Sequence, residues 1–282
     1  MTLTVLDRRD AFRKALDAER ASGRRIGLVP TMGSLHAGHT SLMQRAASEC
    51  DVVVATVFVN PLQFGPTEDL STYPRDPDGD RAKAEAAGVA YLFAPPQGEM
   101  FPDEPATVVS VASLTDVLEG AIRPGHFQGV ATIVTKLLSL AGACRAYFGE
   151  KDYQQLAVVR RLTADLSLPA EIVGCPTVRA SDGLALSSRN AYLTPGERAV
   201  APTLYRALQR AAAAATGTSD ADELRAIMSA TVAAQPALQL QYAEVADAAD
   251  LSPLTTLDRD ARLLIAARLG RTRLIDNLAV PR

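Results

Sequence analysis

The order of apolar and polar positions predicts alternating strands and helices in the first part of the chain. Residues 7–23 have helical spacing, with Phe12 and Leu16 on one face and Gly23 as a stop. Residues 51–59 are almost wholly apolar and rich in β-branched side chains, as in a central parallel strand buried on both faces. Further helices are predicted at residues 38–49, 76–87, 128–140 and 152–166, and further strands at 25–29, 89–93, 108–111, 145–148 and 171–174. This alternation predicts an α/β fold with a doubly wound parallel sheet and right-handed crossovers.

The pattern changes near residue 176. Thr194 can cap a helix, Pro195 suits its first position and Glu197 completes a capping box. An alanine-rich helix is predicted from there to about residue 215, followed by a helix at residues 221–234 and strands at 238–245, 262–267 and 272–277. We therefore predict two domains, residues 1–176 with the parallel sheet and residues 177–282 as a smaller α+β domain.

Composition narrows the class of protein. The chain has 282 residues, 48% of them hydrophobic and 22% charged, with a net charge of −3, as in ordinary globular proteins. General nucleic-acid binding needs a basic face, and a weakly acidic net charge does not favour one. The chain has three cysteines, which lie far apart and form no CxxC pair, so neither a disulfide framework nor a thiolate metal site is indicated. An early run of charges and the lack of a long uninterrupted apolar stretch argue against a secretory or membrane segment. We expect a cytoplasmic protein.

The strongest chemical motif is residues 30–39, Pro-Thr-Met-Gly-Ser-Leu-His-Ala-Gly-His, between a predicted strand and a predicted helix. Ligands gather at the carboxyl ends of strands in this fold, and a helix N-terminus suits phosphate. His36 and His39 are three apart, so one helical turn can bring both rings to one face, where they can stabilise charge on a transferring nucleotide. Zinc is not indicated, because the third histidine, His126, and the carboxylates lack ligand-like spacing to the pair.

A second motif, residues 186–190, reads Leu-Ser-Ser-Arg-Asn and follows Ser-Asp-Gly at 181–183. Two hydroxyls and a fixed cation after a turn can clamp phosphate. Alone, such a loop is more often a solvated connection. It gains weight here because enzymes with an H-x-G-H motif often carry a second phosphate loop late in the chain.

A third motif, Gly-Glu-Lys-Asp-Tyr-Gln-Gln at residues 149–155, lies at another strand-to-helix junction. Lys151 can meet a phosphate as a point charge. Asp152 can bind a ribose hydroxyl or a magnesium-bound water, or it can simply cap the helix, and both interpretations stay open. Gln155 lies one turn further on.

A fourth motif, residues 60–65, directly follows the buried strand. Gln63 offers a donor and an acceptor, which suits the hydroxyl and carboxylate of a small substrate, although taken alone it reads as a polar turn residue. The acidic stretch 68–80 is predicted to be a solvated loop and helix start. Residues 123–127 form a turn before a helix, either a flexible cover or a plain loop.

These motifs together resemble the pantothenate synthetase family. The matching segments are spread in order over most of the chain, at residues 30–39, 59–65, 73–75, 123–129, 148–155 and 186–190. The resemblance implies a Rossmann-like first domain of the H-x-G-H nucleotidylyltransferase superfamily, a smaller C-terminal domain that acts as a lid, and a homodimer. It also implies ATP-dependent condensation of pantoate with β-alanine through a pantoyl-adenylate, releasing AMP and pyrophosphate, in the biosynthesis of pantothenate and coenzyme A.

The resemblance also assigns site residues. ATP contacts are expected from Met32, Gly33, Ser34, Leu35, His36, Ala37, Gly38, His39, Gly149, Glu150, Lys151, Asp152, Val178, Leu186, Ser187, Ser188 and Arg189. Within that set, the catalytic residues are expected to be His36, His39 (as proton donor), Lys151, Ser187, Ser188 and Arg189. Pantoate or β-alanine contacts are expected from Asn60, Gln63 and Gln155. Magnesium is expected to act with ATP and without direct protein ligands.

Two positions depart from the family pattern, because Ala37 stands where an acidic residue is common and Leu186 where methionine is common. Neither side chain is expected to carry chemistry, so we expect tuning of activity. Three other functions compete with this one. A cofactor adenylyltransferase would share the histidine motif but release no AMP, and a regulatory module would bind ATP without turnover. A tRNA-charging enzyme is disfavoured by the short chain and the lack of a basic extension.

Overall fold

The protein, described by a computed structural model over residues 2–66 and 68–281, divides into two compact units. The first comprises the residues up to Glu150 together with Gln154–Pro176. The second comprises Lys151–Tyr153 together with the residues from Thr177 onward. The predicted fold class is confirmed, because the first unit carries a six-stranded parallel sheet and the second a three-stranded antiparallel one.

The sheet of the first unit has the strand order β1-β4-β3-β2-β5-β6. All of its pairings are parallel. From β2 the chain winds outward to β3 and β4 on one side and later to β5 and β6 on the other. The topological switch, where such sheets bind ligands, therefore lies between β2 and β5. The strands are β1 (Thr4–Leu6), β2 (Ile26–Thr31), β3 (Val52–Val57), β4 (Tyr91–Phe93), β5 (Cys144–Gly149) and β6 (Ala170–Cys175).

Helices cover this sheet, and the apolar runs explain why. Five of the six residues of β3 are buried, as expected for a strand packed on both faces. In the first helix, Phe12 and Leu16 are fully buried, and the ring of Phe12 stacks on Phe93 of β4 at 4.3 Å. The helices of this part of the chain are α1 (Arg9–Ala21), α2 (Ala37–Glu49), α3 (Pro77–Ala86), α4 (Gln97–Met100), α5 (Glu119–Ile122), α6 (His126–Ala141) and α7 (Tyr153–Asp165).

Two sequence-based assignments in this unit differ from the structure. The predicted strand at residues 108–111 is wrong: the segment is irregular, Val108 is half exposed, and the Val109 N–H donates to the hydroxyl of Thr132 at 3.0 Å. A side chain thus satisfies the main-chain group that a neighbouring strand would have paired. The three-residue β1 is too short to give a period-two signal, and the sequence pattern does not indicate it.

The second unit packs helices against an antiparallel sheet of order β7-β8-β9. Thr194 and Glu197 form the predicted capping box at the start of α8. The single helix predicted from there to residue 215 is wrong, because Pro202 lacks the N–H that would continue it and two helices form. The elements are α8 (Pro195–Val200), α9 (Thr203–Ala214), α10 (Ala221–Ala233), β7 (Leu238–Asp247), β8 (Ala261–Leu269) and β9 (Thr272–Val280). None of the helices in the described residues combines the length and the apolar character needed to cross a membrane.

Candidate active site

The rings of His36 and His39 lie together at the start of α2, directly after β2 and beside the topological switch. Their centroids are 4.0 Å apart. The two residues form a reciprocal cap: the Gly38 N–H donates to Nδ1 of His36 at 3.1 Å, and the His36 N–H donates to Nδ1 of His39 at 3.3 Å. An imidazole nitrogen that accepts a hydrogen bond carries no proton, so each ring holds its proton on Nε2. The pair therefore presents two Nε2–H donors where the helix N-terminus already favours an anion.

The loop before this helix is held by a buried carboxylate. Asp80 of α3 is 2% exposed, and its two oxygens accept from the main-chain N–H groups of Ser34, at 2.9 Å, and Leu35, at 2.6 Å. Ser34 has φ of 51°, and Gly33 has φ of 87° with Asp80 so close that a Cβ would crowd it. The loop conformation is thus unusual, and it is held by a side chain of α3, which lies outside the loop. The prediction of a solvated stretch at residues 68–80 is wrong at Asp80.

Asn60 and Gln63 follow β3 in a short 3-10 turn, and both side chains are buried. The amide of Asn60 donates to the Gln63 side-chain oxygen at 3.0 Å and to the carbonyl of Gly129 at 3.1 Å. Gln63 Nε2 lies 3.0 Å from the sulfur of Met32, which is a weak acceptor. A polar ligand could therefore replace the sulfur at low cost. A Cβ on Gly129 would overlap the main chain at Leu62, so α6 approaches this turn closely only because glycine stands there.

The turn that leads into α6 is bound to the Gln63 segment. His126 Nδ1 lies 2.8 Å from the main-chain oxygen of Gln63, and its Nε2 lies 3.0 Å from a guanidinium nitrogen of Arg123. Arg123 in turn forms a two-point ion pair with Glu68, at 2.6 and 2.7 Å. Burial, aided by the Arg123 charge, lowers the pKa of His126 to about 4. Although burial opposes it, the ion pair keeps the pKa of Glu68 below its usual value. Of the two interpretations of residues 123–127, the structure therefore favours a packed turn over a loose cover.

Gln155 lies in the first turn of α7 and is half buried, and its assigned contact with pantoate stays a prediction. Its neighbour Gln154 is buried and has a visible role. Its side chain accepts from the Glu119 N–H at 2.9 Å and donates to the carbonyls of Leu114 and Val117, both at 2.8 Å. Gly149 ends β5, and among the described residues no heavy atom beyond its two chain neighbours lies within 4 Å of where its Cβ would be. A ligand can approach the main chain there.

The second unit carries the other predicted phosphate contacts. Lys151 and Asp152 belong to a 3-10 turn before α7, with Lys151 Nζ 3.2 Å from the Asp152 carboxylate. This pairing leaves both interpretations of Asp152, cap and ligand, open.

A tight turn brings Val178 and Leu186 together, since the Leu186 N–H donates to the Val178 carbonyl at 3.0 Å. Gly183, with φ of 94°, makes the predicted turn between them. The hydroxyl of Ser187 accepts from the Arg189 N–H at 3.3 Å and so caps the 3-10 helix Ser188–Tyr192. Ser187 therefore has a structural role that the motif alone does not reveal.

Comparison with known proteins agrees with this arrangement. The family model described as pantoate-beta-alanine ligase matches residues 4–279. The chain belongs to the pantoate–β-alanine ligase family. A pantothenate synthetase of Paramagnetospirillum magneticum is 52% identical over 279 residues, which cover 96% of this chain and 95% of that protein.

Solved structures of ligases in this family are also similar. The pantothenate synthetase of Thermus thermophilus is 50% identical, with a TM-score of 0.94 and 99% of each chain covered. The pantoate-beta-alanine ligase of Francisella tularensis, solved with beta-gamma ATP and beta-alanine, is 34% identical with a TM-score of 0.80, covering 98% of this chain and 97% of that one. Membership of a ligase family argues against a regulatory module without turnover and against a cofactor adenylyltransferase.

The two departures from the family pattern fall where main-chain atoms matter more than side chains. Ala37 is exposed at the first position of α2, and Leu186 is tied to Val178 through its main-chain N–H. Sequence reasoning missed Asp80, Glu68 and the contact between His126 and Gln63. The match of residues 123–129 to the family pattern was the only signal that could have pointed to the last of these.

Proposed function

We propose that this ligase condenses pantoate with β-alanine at the expense of ATP, through a pantoyl-adenylate, and releases AMP and pyrophosphate. The observation that carries the proposal is the pairing of the His36 and His39 rings at the N-terminus of α2, where each Nδ1 accepts from the main chain and so assigns the ring proton to Nε2. Donors fixed in this way need no reorganisation when negative charge grows on a phosphate. The Francisella relative solved with beta-gamma ATP and beta-alanine supports the choice of two of the substrates.

In the first half of the proposed reaction, a carboxylate oxygen of pantoate attacks the α-phosphorus of ATP. The bond from that phosphorus to the bridging oxygen breaks, and pyrophosphate leaves with the electron pair. No covalent bond to the protein forms, so its residues align the reactants and neutralise charge. We assign this work to His36, His39, Lys151, Ser188 and Arg189. The expected donor role of His39 is assigned as a hydrogen bond from its Nε2–H to the leaving group.

In the second half, the neutral amine of β-alanine attacks the carbonyl carbon of the acyl-adenylate. The bond from that carbon to the phosphate oxygen breaks, AMP leaves, and the new amide nitrogen loses a proton. Gln63 is assigned to pantoate because its amide can donate and accept, and because its present donor contact, to the sulfur of Met32, is weak. Asn60 holds the Gln63 side chain in place, and Gln155 is assigned as a further contact.

Magnesium is proposed to enter with ATP. Among the described residues, no three His, Cys, Asp and Glu side chains lie together as a cage for a metal ion. Magnesium commonly keeps several waters and binds through substrate phosphates and one or two carboxylates. Asp152, whose side chain is 47% exposed beside Lys151, fits a water-mediated role of this kind. The ion would neutralise phosphate charge. The homodimer, the cytoplasmic location and the lid role of residues 177–282 remain predictions.

Analysis of the nucleotide products tests this proposal. The purified protein is incubated with ATP, magnesium and pantoate, with and without β-alanine. We expect pyrophosphate with pantoate alone and sustained AMP release only after β-alanine is added. ATP left intact under both conditions would contradict the substrate assignment. A stable adenylylated product formed from a phosphorylated acceptor, without AMP, would instead support an adenylyltransferase.

A further inference from the structure

Two neighbouring side chains of β9, Asp276 and Asn277, contact both segments of the second unit that are assigned to ATP. They are 5% and 3% exposed. The side-chain amide of Asn277 donates to the main-chain carbonyl of Lys151 at 2.8 Å. The carboxylate of Asp276 accepts from both terminal nitrogens of Arg179, at 2.6 and 2.8 Å, and Arg179 directly follows Val178.

The orientation of the Asn277 amide is fixed by its partners. Its Oδ1 lies 2.6 Å from Nε of Arg262, and its Nδ2 faces the Lys151 carbonyl. A guanidinium can only donate and a carbonyl can only accept, so the amide cannot be turned around without losing both bonds. An amide satisfies both neighbours at once, whereas a carboxylate of the same shape could satisfy only Arg262.

The same segment is held a second time, two residues further on. The guanidinium of Arg262 lies 3.9 Å from the centre of the Tyr153 ring, and the Tyr153 hydroxyl donates to the carbonyl of Ala248 at 2.8 Å. Asn277 and Arg262 thus form one connected network with the main chain and ring of residues 151–153. Buried polar networks of this kind restrain the groups that they connect when every member is satisfied.

A lysine gains from such restraint. Its ammonium group sits on a flexible four-carbon stem, so the position of the charge depends on how firmly its main chain is held. We propose that Asn277 is a positioning residue for Lys151: it orients the peptide from which the side chain reaches ATP and touches no substrate itself. This inference rests on the proposed function, which assigns Lys151 to the phosphates.

A double-mutant cycle tests the inference. Asn277→Asp keeps the shape and the bond to Arg262 but cannot donate to the Lys151 carbonyl. We expect kcat/KM for ATP, measured by pantoate-dependent pyrophosphate release, to fall about tenfold, the scale of losing one buried hydrogen bond. In a Lys151→Ala background the same change should have almost no further effect, because no ammonium group remains to be placed.

Gln241→Glu is the matched control. The side-chain oxygen of Gln241 also accepts a hydrogen bond from an arginine, the Nε of Arg273 at 2.6 Å, but Gln241 is exposed. The same exchange of amide for carboxylate there should leave the rate at the level of the unmodified protein. If Asn277→Asp does not fold, Asn277→Ala serves instead, because it also removes the donor to the Lys151 carbonyl and adds no buried charge. A loss of a few-fold that disappears with Lys151→Ala is then expected.

The outcomes separate the two proposals. An equal fold-loss from Asn277→Asp with and without the Lys151 side chain would show a general structural role and overturn the inference alone. Full activity of Asn277→Asp would also overturn it alone. A Lys151→Ala variant as active as the unmodified protein would contradict the role of Lys151 in the proposed function and, with it, the inference.

Discussion

His126 donates a hydrogen bond from Nδ1 to the main-chain carbonyl of Gln63, and it does so as a neutral ring. The carbonyl, 2.8 Å away, can only accept, so Nδ1 carries the proton. The guanidinium of Arg123, 3.0 Å from Nε2, can only donate, so Nε2 carries none. This assignment agrees with the pKa of the ring, which burial and the Arg123 charge lower to about 4. The residue assigned to pantoate is therefore held by a histidine that stays neutral at physiological pH.

Removing this support should affect pantoate more than ATP. We expect His126→Ala to raise KM for pantoate about tenfold, since one buried hydrogen bond is lost at the Gln63 main chain. His126→Asn should recover part of the loss, because its amide N–H can replace Nδ1–H. Steady-state kinetics with each substrate varied in turn measures both effects. Equal changes in KM for ATP and pantoate, or none in either, would contradict the role given to His126.

The same ring should make stability depend on pH. The ordinary pKa of 6.5 applies to the unfolded chain and about 4 to the folded one, so between these values the unfolded chain binds more protons. The free energy of unfolding should therefore fall as the pH drops from 6.5 to 4, by up to about 3 kcal/mol from this group. Denaturant unfolding of the unmodified protein and of His126→Asn isolates the effect, because other groups titrate in both. Parallel pH curves for the two proteins would contradict it.

Helix capping and phosphate contact can be separated at the histidine pair. Asn is a good N-cap and Gln suits the third position of a capping box, so His36→Asn and His39→Gln should keep α2 intact. The amide oxygen of Asn or Gln can accept the capping bond, but neither side chain has a ring to carry an N–H to the position of the imidazole Nε2. We therefore expect each variant to lower pantoate-dependent pyrophosphate release about 100-fold, with a thermal midpoint close to that of the unmodified protein. Unchanged release from either variant would remove that histidine from the assigned chemistry.

The histidine pair shows what sequence can predict, and Asp80 shows what it cannot. A spacing of three at a strand-to-helix junction is local information, and the two rings do lie side by side. Asp80 accepts from the main-chain N–H groups of Ser34 and Leu35, which lie 46 and 45 residues earlier in the chain. It belongs to a stretch whose composition predicts solvent exposure. Its burial depends on how α3 packs on the sheet, which no local pattern encodes. Lys151 is a similar case, since its carbonyl is held by a residue 126 positions away.

Asp80 should be needed for the loop between β2 and α2. In Asp80→Asn an NH2 group replaces one carboxylate oxygen and faces a main-chain N–H, so the N–H of either Ser34 or Leu35 loses its acceptor. We expect a loss of about 2 kcal/mol in the free energy of unfolding and a raised KM for ATP. Asp78→Asn is the control, because Asp78 lies exposed in the same helix turn. Equal behaviour of the two variants in unfolding and in ATP kinetics would show that Asp80 does not fix the loop.

An oxygen label shows whether the pantoate carboxylate attacks the α-phosphorus of ATP, which is the first step of the proposed reaction. Pantoate labelled with ¹⁸O in its carboxylate is converted in the presence of ATP, magnesium and β-alanine, and the nucleotide and phosphate products are analysed by mass spectrometry. The attacking oxygen stays on phosphorus when the amide forms, so we expect one ¹⁸O atom in AMP and none in pyrophosphate. Label in inorganic phosphate together with ADP, or AMP without label, would contradict this step.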